Sequence, residues 1–366
     1  MRVLVVNAGS SSLKLSVLDD GQLVAATTLA APGSGVDMGA LRAFVSRAGH
    51  IDAVGHRIVH GGTQFTSAVR IDADVRRRLE ALTDLAPLHQ PKSLAALDAV
   101  THALPGAPAV GCFDTAFHAT IPPAASTYAI PAEWRRRWPL RRFGFHGLSH
   151  AYVARRAAEL VGRPAAELRT VSCHLGAGAS VAAIDRGASV DTTMGFTPLE
   201  GLVMATRSGT VDPGLIVWLE EHVGTPPAEL ASTLEHRSGL LGLAGTADLA
   251  AVLDAEAAGD ADATLAVGVY LHRLRGAIAA MAAALGGLDV LVFTGGAGEH
   301  SAPVRGRTAR ALGFLGVAVD DAANATAVPD AEIGAPGAAV RTLVIKARED
   351  LQIATEVEQL LGAAPG

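Results

Sequence analysis

Alternating apolar and polar residues at the start of the chain predict a β-hairpin. The apolar run MRVLVV is followed by the small polar residues NAGSSS, after which Leu13, Leu15 and Val17 return at every second position. A repeat of two is that of a half-buried strand. A nucleotide-binding turn of the Walker or Rossmann kind would lead into a helix with a repeat of 3.6, and no GK[ST] follows here. The segment therefore predicts two strands joined by a tip rich in backbone N–H groups and hydroxyls.

The same order of strand, small-residue turn, strand, tight turn and strand occurs again in TVSCHLGAGASVAAIDRGASVD. Asn7-Ala8-Gly9 corresponds to His174-Leu175-Gly176, and Asp20-Gly21 corresponds to Arg186-Gly187. A third strand follows each copy, LVAATTL in the first and SVDTTMG in the second. Two similar hairpins so far apart in the chain indicate a duplicated domain with a cleft between the halves.

Three further apolar segments are typical of buried parallel strands that alternate with helices, namely IDAVGHRIVHGG, APAVGCFDTAF and LDVLVFTGGAG. Ligands of open α/β sheets bind at the carboxyl ends of such strands. In this chain those ends carry Arg57, Asp114, His174 and Gly295-Gly296. We therefore expect these residues to contribute to a binding site.

The length of the chain, 366 residues, is that of about two domains. The change between the halves is expected near residue 120, where HATIPPAAS contains paired prolines. The last predicted helix, DLQIATEVEQLL, is expected to pack on the first half. We predict an N-terminal domain of residues 1–118 plus 350–366 and a second, nucleotide-side domain of residues 119–349.

Composition and charge exclude several classes of protein. With 49% hydrophobic and 18% charged residues, the chain is expected to be globular rather than disordered. A net charge of −6 argues against a nucleic-acid partner. The two cysteines, Cys112 and Cys173, lie in apolar runs and predict buried thiols in a reducing compartment.

No segment of the sequence is predicted to lie in a membrane. The most apolar helical stretch, LAVGVYLHRLRGAIAAMAAALGG, contains His272, Arg273 and Arg275. The N-terminus leads directly into a strand without the pattern of a signal peptide. We therefore expect a soluble, cytoplasmic protein with no membrane partner.

Three turns of small residues favour an anion-binding function. The hairpin tips NAGSSS and HLGAGAS and the strand-to-helix turn FTGGAGEHS all offer backbone N–H groups, which suit phosphate oxygens. One such turn is usually only a turn. Three of them at strand ends of a duplicated α/β chain predict a nucleotide phosphate site.

Charged residues in glycine-rich surroundings point to phosphoryl transfer. Arg57 lies in GHRIVHGG, His146 in FGFHGLSH and Arg207 in MATRSGTVDP. A single arginine is usually a surface charge and a single histidine usually a structural hydrogen bonder, but phosphoryl transfer needs positive charge around three equatorial oxygens. Asp114 and Glu349 add carboxylate oxygens, which Mg²⁺ requires beside phosphates.

The chain resembles the acetate/propionate kinase family, within the superfamily of sugar kinases, heat-shock chaperones and actins. The resemblance extends from residue 3 to about residue 355, in the family's order. It implies an α/β fold of duplicated actin-like (ribonuclease H-like) domains with a central cleft. The motifs that carry it are VNAGSSSLK, GHRIVHGG, LAPLHQP, FDTAFH, RFGFHGLSH, SCHLGAGAS, TMGFTPLEGLVMATRSGTVDPG, FTGGAGEHS and AREDLQIA.

The resemblance also implies roles for individual residues. Arg57, His146 and Arg207 would stabilise the transferred phosphoryl group, and Asp114 would be the carboxylate near the acceptor and the metal. The implied metal is Mg²⁺, with Mn²⁺ as an alternative, at Asn7 and Glu349. The small apolar pocket for acetate would be formed by Val59, Leu88, Phe145 and Pro198. Phosphate and nucleotide binding would fall on Ser10, Ser12, Lys14, His174, Gly176, Gly178, Asp248, Gly295, Gly296 and Gly298.

The implied activity is reversible, Mg²⁺-dependent transfer of a phosphoryl group from ATP to acetate, giving acetyl phosphate and ADP, by a homodimer. Propionate and butyrate are alternative acceptors, because one methylene is worth only about 1–3 kcal/mol. Pyrophosphate is an alternative donor, because Ala177 and Ala250 stand where the family has Asn and Arg. A non-enzymatic alternative is a nucleotide-switched protein like actin or the chaperones, which would not need the set Arg57, His146 and Arg207.

Overall fold

The computed structural model of the chain describes residues 1–9, 12–30, 35–87 and 89–362. The chain forms two compact units. Unit 1 consists of Met1–Ala119, Phe145–Tyr152 and Arg348–Gly366, and unit 2 consists of Thr120–Gly144 and Val153–Ala347. The domain boundaries at 118/119 and 349/350 stay a prediction.

Runs of strands and runs of helices follow one another along the chain. The strands are β1 (Arg2–Ala8), β2 (Ser12–Asp19), β3 (Gln22–Ala30), β4 (Ala53–Ile58), β5 (Val69–Arg70), β6 (Ala109–Phe113), β7 (Arg169–Leu175), β8 (Ala179–Asp185), β9 (Ala188–Thr192), β10 (Val290–Thr294), β11 (Ala331–Glu332) and β12 (Arg341–Val344). The α-helices are α1 (Met38–Ala48), α2 (Ala73–Glu80), α3 (Gln90–Ala103), α4 (Pro123–Ser126), α5 (Ala132–Arg137), α6 (Gly147–Val161), α7 (Pro213–Trp218), α8 (Pro227–His236), α9 (Gly239–Ala244), α10 (Leu249–Ala257), α11 (Ala261–Ala284), α12 (Gly295–His300), α13 (Ala302–Ala311), α14 (Asp321–Thr326) and α15 (Glu349–Gly362). Short 3₁₀ turns lie at Thr83–Leu85, Ala116–Thr120, Ala165–Glu167 and Gly313–Leu315, and a π-helical turn lies at Leu219–Val223.

Each unit contains a six-stranded mixed sheet, and the two sheets have the same strand order. The first is ordered β3-β2-β1-β4-β6-β5 and the second β9-β8-β7-β10-β12-β11. In the first sheet β1, β4 and β6 run parallel, and in the second β7, β10 and β12 do so. The hairpin strands β2, β3, β8 and β9 are antiparallel to their neighbours. The duplicated α/β fold predicted from the sequence is confirmed.

The likeness of the two hairpins extends to their tight turns. Asp20 and Gly21 have φ of 45° and 76°, and Arg186 and Gly187 have φ of 53° and 84°. Positive φ at both central residues is the geometry of a two-residue type I′ turn, which matches the twist of the strands it joins. Each hairpin also has a register irregularity shortly before its turn, at Val17/Leu18 and at Ala183/Ile184.

Both faces of the first sheet are covered by helices. One face packs against α1 and α3 through a cluster that includes Leu4, Leu15, Leu41 and Val100. The opposite face packs against α15, where Val3, Val5 and Cys112 meet Ile353 and Val357. A Cβ at Gly55 of β4 would lie 2.4 Å from Cγ2 of Ile353, so glycine permits this close approach.

The two cysteines are buried and form no disulfide, as expected. Among the described residues no single helix is long and apolar enough to cross a membrane, although by length and composition a bent pair, Pro227–His236 with Gly239–Ala257, could.

Candidate active site

Four polar side chains meet in unit 1 at the carboxyl ends of its parallel strands. Asn7 lies near the end of β1, Arg57 near the end of β4 and Asp114 directly after β6, while Glu349 begins α15. The three strands are neighbours in the sheet. Because parallel strands end at the same edge, residues far apart in sequence are brought within hydrogen-bond distance.

Arg57 and Asp114 form a two-point ion pair. The Nε and Nη2 atoms of Arg57 donate to Oδ1 and Oδ2 of Asp114 at 3.1 and 2.5 Å. The side chain of Asp114 is 2% exposed and that of Arg57 is 16% exposed. Burial raises the pKa of Asp114 and the Arg57 guanidinium opposes that shift. Burial also opposes the charge of Arg57, but the Asp114 and Glu349 carboxylates outweigh it and raise the pKa of Arg57.

Asn7 connects this pair to Glu349. Nη1 of Arg57 donates to Oδ1 of Asn7 at 3.1 Å, and Nδ2 of Asn7 donates to Oε2 of Glu349 at 3.0 Å. The same Glu349 oxygen lies 3.8 Å from Nε of Arg57. The four side chains therefore form one connected network in which the guanidinium is oriented by carboxylate and amide oxygens.

Two side chains of this network carry oxygen atoms of the kind that bind Mg²⁺. Asn7 and Glu349 offer an amide oxygen and a carboxylate, which are hard ligands of the kind that Mg²⁺ takes in small number beside substrate phosphates. Within the described residues no group of three or more His, Cys, Asp or Glu side chains could hold a metal ion. The residues present therefore fit a metal that takes its remaining ligands from water and phosphate, and they do not form a site made of protein alone.

His146 lies in a turn next to Asp114. Its φ is 56°, in the left-handed region that is uncommon for residues other than glycine. The following Gly147 donates its N–H to the carbonyl of Asp114 at 2.8 Å. A Cβ at Gly147 would lie 2.2 Å from that carbonyl oxygen, so glycine is required here. The preceding Phe145 is buried, and so is Val59, which follows β4.

The tip of the first hairpin is described in part. Gly9 donates its N–H to the carbonyl of Ser12 at 2.8 Å, and Lys14 of β2 lies opposite Asn7 in the antiparallel register. The Lys14 side chain is exposed. Two of the predicted site residues, Ser10 and Leu88, lie outside the described residues.

In unit 2 the structure brings Arg207 to Pro198. Nη1 of Arg207 donates to the carbonyl of Pro198 at 3.3 Å, and its Nε lies 3.6 Å from Oε1 of Glu235. Burial lowers the pKa of Arg207 and Glu235 opposes that shift. Arg207 is thus held at longer distances, and by fewer carboxylate contacts, than Arg57.

The second hairpin tip meets the glycine-rich turn of unit 2. His174 of β7 lies opposite Ser180 of β8 and Thr294 of β10, and Gly176 donates its N–H to the carbonyl of Gly178 at 3.0 Å. Gly295 has a φ of 75°, and a Cβ there would lie 3.0 Å from the backbone of Leu175. The turn FTGGAGEHS therefore begins α12 directly against the end of β7.

The carboxylate of Glu299 holds this glycine-rich turn. Its Oε1 accepts the N–H of Gly295 at 3.1 Å and that of Ala347 at 2.9 Å. The N–H of Gly295 is therefore directed to the protein. At Gly296 a Cβ would meet no atom of the described residues within 4 Å, whereas Gly298 packs against the backbone of Phe293, so Gly296 is the open position of the turn.

Gly296 opens onto a pocket of about 370 Å³. Asp248 lies on its wall, but Oδ1 of Asp248 accepts the N–H of Ala250 at 2.9 Å and so caps α10. The predicted nucleotide residue Asp248 therefore has a structural task as well. The remaining wall is largely apolar and consists of Leu249, Ala250, Leu253, Asp254, Ala297, His300, Ser301 and Pro303.

Several residues of these sites were missed by the sequence analysis. Glu299 stands four residues after Gly295, one more than the spacing of a capping box, so no standard helix-start pattern marks its bond to that N–H. Glu235 and Arg207 are far apart in the chain, and nothing local marks their pairing. His118, in the FDTAFH run, is hydrogen-bonded to the carbonyl of Phe145, and no spacing in the sequence predicts this contact.

Comparisons with known proteins find one family. The model of the Acetokinase family matches residues 37–355 of this chain. The acetate kinase of Gloeobacter violaceus is 48% identical over 313 residues, which cover 85% of this chain and 77% of that relative.

Two solved structures are similar over nearly the full length. The crystal structure of Porphyromonas gingivalis acetate kinase superposes with a TM-score of 0.91 at 37% identity and covers 98% of this chain and 99% of its own. The crystal structure of a propionate kinase from Francisella tularensis has a TM-score of 0.90 at 34% identity and covers 97% of this chain and 98% of its own.

Proposed function

The chain belongs to the acetokinase family, and from that premise we propose that it catalyses reversible phosphoryl transfer between ATP and acetate, giving acetyl phosphate and ADP. The observation that carries the proposal is the network of Arg57, Asp114, Asn7 and Glu349. A guanidinium fixed by two carboxylates and an amide is suited to phosphate oxygens, and a protein that merely switches with nucleotide would not need it.

Charge stabilisation is the main task of the protein in such a reaction. The transferred phosphoryl group passes through a loose transition state with charge spread over three equatorial oxygens. Arg57, His146 and Arg207 are proposed to supply the hydrogen-bond donors and positive charge. Arg57 is held by Asp114 and Asn7 before the substrate arrives, so this guanidinium needs little reorganisation at the moment of transfer.

The reaction needs no general base. Acetate is already ionised at neutral pH, so its carboxylate oxygen attacks the γ-phosphorus in line as the bond from phosphorus to the leaving oxygen of ADP breaks. Asp114 is engaged by Arg57 through both oxygens, which suits an orienting role rather than proton transfer. Glu349 and Asn7 would hold Mg²⁺, or Mn²⁺, and a bound ion would neutralise charge on the phosphates.

The acceptor and donor sites are assigned to different sets of residues. Val59, Phe145 and Pro198, with Leu88, are proposed as the apolar wall around the methyl group of acetate. Since one methylene is worth only about 1–3 kcal/mol, propionate is expected as a weaker substrate. The adenosine is proposed to occupy the pocket at Gly296, while Ser10, Ser12, Lys14, His174, Gly176, Gly178, Asp248, Gly295 and Gly298 are proposed around the phosphates and the nucleotide.

A homodimer in the cytoplasm is proposed as the working form. The helix α7 continues into the turn Leu219–Val223, and neither contains a buried residue. Leu215, Val217 and Trp218 are each about half exposed although they are apolar. A helix with apolar residues on several sides is usually buried, which favours a second copy of the chain as its cover. The change Trp218→Glu should shift a dimer toward monomer in sedimentation equilibrium.

A hydroxamate assay for acyl phosphate tests the activity. Acetate, propionate and butyrate are each combined with ATP, GTP and pyrophosphate in the presence of Mg²⁺. We expect the highest rate with acetate and ATP. If acyl phosphate forms with pyrophosphate but not with ATP or GTP, pyrophosphate and not ATP is the donor. Hydrolysis of nucleotide without formation of acyl phosphate would favour a nucleotide-switched protein.

A further inference from the structure

The turn at His146 is held by backbone hydrogen bonds on both sides. Gly147 donates its N–H to the carbonyl of Asp114 at 2.8 Å. The carbonyl of His146 accepts the N–H of His150 at 2.9 Å, which begins α6. A residue other than glycine at positive φ is strained and persists only where its surroundings determine it. The conformation of His146 therefore depends on the contacts that hold the preceding residue, Phe145, in place.

The ring of His118 holds Phe145 in place. Its Nε2 lies 3.0 Å from the carbonyl oxygen of Phe145, and the ring is completely buried. A carbonyl oxygen can only accept, so Nε2 carries the proton and donates it. Burial lowers the pKa of His118 to about 4, against the effect of the Phe145 carbonyl, so the ring is neutral at physiological pH.

The ring of His118 is itself held in place by aromatic neighbours. The His150 ring lies 5.7 Å away between centroids at an angle of 68°, and the Phe117 ring lies 5.6 Å away at 65°. His118 belongs to the 3₁₀ turn Ala116–Thr120, which follows Asp114 after a single residue. One short loop therefore carries the carboxylate that fixes Arg57, the carbonyl that fixes Gly147 and the ring that fixes Phe145.

We infer that His118 is a positioning residue for phosphoryl transfer: by donating Nε2–H to the carbonyl of Phe145 it fixes the backbone on which the His146 side chain is presented. The inference rests on the proposed function for its kinetic test, although the anchoring itself does not. The opposing explanation is that His118 merely fills space in the core, in which case any ring of similar size would serve.

Two substitutions at His118 separate these explanations. His118→Phe keeps a ring and removes the donor, whereas His118→Gln removes the ring and places an amide N–H near the former Nε2. We expect His118→Phe to lower kcat about 10- to 100-fold, because a small displacement of a catalytic group costs that much. The KM for ATP should change less than about twofold, since the nucleotide residues lie elsewhere. His118→Gln should recover kcat to within about threefold of the wild type.

Leu41→Ala is the matched control for general destabilisation. Leu41 is buried in the same unit but in the cluster under α1, away from the turn. Even if its Tm falls as much as that of His118→Phe, Leu41→Ala should keep the wild-type kcat. If His118→Phe does not fold, His118→Met takes its place as a variant of similar length without a donor. Equal activity of the donor-lacking and donor-keeping variants, or an equal loss of kcat in Leu41→Ala, would overturn the inference.

Hydrogen exchange gives a readout that does not depend on activity. Exchange at the amides of Gly147 and His150 should be faster in His118→Phe than in the wild type, and near the wild-type rate in His118→Gln. Leu41→Ala should not show this local increase. A wild type without acyl phosphate formation would refute the proposed function, whereas unchanged exchange in His118→Phe would refute the anchoring role.

Discussion

Arg57 holds Asp114 through two parallel hydrogen bonds, and the carboxylate that it neutralises is almost completely buried. A buried charge that loses its partner is far less stable than the pair, because the Coulomb attraction that offset its desolvation is gone. Arg57 therefore pairs with the Asp114 carboxylate inside unit 1, and in the proposed mechanism it also presents a guanidinium to the substrate.

Arg57→Ala is expected to lower kcat about 10²- to 10⁵-fold, as the loss of a transition-state arginine does. It should also lower the free energy of unfolding by about 3–5 kcal/mol, because Asp114 is left unpaired. Arg207→Ala should lower kcat to a similar extent with a smaller loss of stability, since Glu235 is 3.6 Å from its Nε and 21% exposed. Steady-state kinetics and urea unfolding measure both effects.

The double variant Arg57→Ala/Asp114→Asn separates the two tasks. Removing the unpaired charge should restore much of the stability while kcat stays low. Arg57→Lys should recover activity poorly, because a point charge cannot reproduce the planar two-point contact. Near-normal kcat in both alanine variants would contradict the proposed mechanism.

Glu349→Ala is expected chiefly to raise the Mg²⁺ concentration needed for half-maximal activity. The carboxylate shares a hydrogen bond with Asn7, so the variant removes one proposed metal ligand and loosens the other. Activity is measured across a Mg²⁺ titration at saturating ATP and acetate. Asp350→Asn is the matched control, because Asp350 is the next residue but pairs with Arg348. An unchanged Mg²⁺ dependence in Glu349→Ala would remove Glu349 from the metal site.

Acid should destabilise the protein through three buried histidines. Burial lowers the pKa of His56 to about 3 and the pKa values of His60 and His118 to about 4. Between these values and about 6.5 the unfolded chain binds protons that the folded chain does not. Stability is therefore fully present above about pH 6.5 and falls as the pH is lowered toward 4, by about 1.4 kcal/mol per pH unit for each histidine. Asp114, with its raised pKa, acts in the opposite sense.

Urea unfolding at several pH values between 7.5 and 5 measures this slope. His56→Leu should reduce it by up to about 1.4 kcal/mol per pH unit, which is the contribution of one histidine. His56 is suited to this change because neither of its ring nitrogens has a hydrogen-bond partner among the residues that the structure describes, so leucine leaves no new polar atom there unsatisfied. The same slope in wild type and His56→Leu would show that His56 is not among the groups that take up protons.

The hairpins show how much of the fold local sequence can specify. Asp20-Gly21 and Arg186-Gly187 predict their turns because few residues tolerate positive φ, and the strands around them predict their register through the alternation of buried positions. The parallel strands β4, β6 and β10 were likewise predicted from continuous apolar runs. Each of these signals lies within about ten residues of the element that it determines.

The site was predicted less completely, because its contacts join distant parts of the chain. That Arg57 pairs with Asp114 follows from the adjacency of β4 and β6, which the strand order alone establishes. The donation from His118 to Phe145 and the pairing of Glu235 with Arg207 have no counterpart in residue spacing. The family resemblance supplied roles for matching positions, but it could not supply residues that act by holding others.

Ala250 is the position at which the donor site is expected to respond most clearly to substitution. It lies in the first turn of α10 and lines the pocket beside Gly296, where the resemblance implies an arginine. An alanine offers the base neither stacking nor hydrogen bonds. We therefore expect the natural protein to accept GTP within about tenfold of ATP in kcat/KM, since an apolar wall discriminates weakly.

Ala250→Arg should sharpen the preference for ATP over GTP, because a guanidinium on this wall can stack on the base and donate to the ribose. Ala251→Arg is the matched control: it adds the same charge one residue further on, at an exposed position that does not line the pocket. The new arginine could instead pair with Asp254 four residues later, so Ala250→Arg/Asp254→Asn is compared as well.

Steady-state kinetics with both nucleotides measure the ratio of kcat/KM for ATP to kcat/KM for GTP. A rise in that ratio in Ala250→Arg but not in Ala251→Arg would place the base against α10. Strict selectivity for ATP in the natural protein would show instead that the base is recognised by other residues.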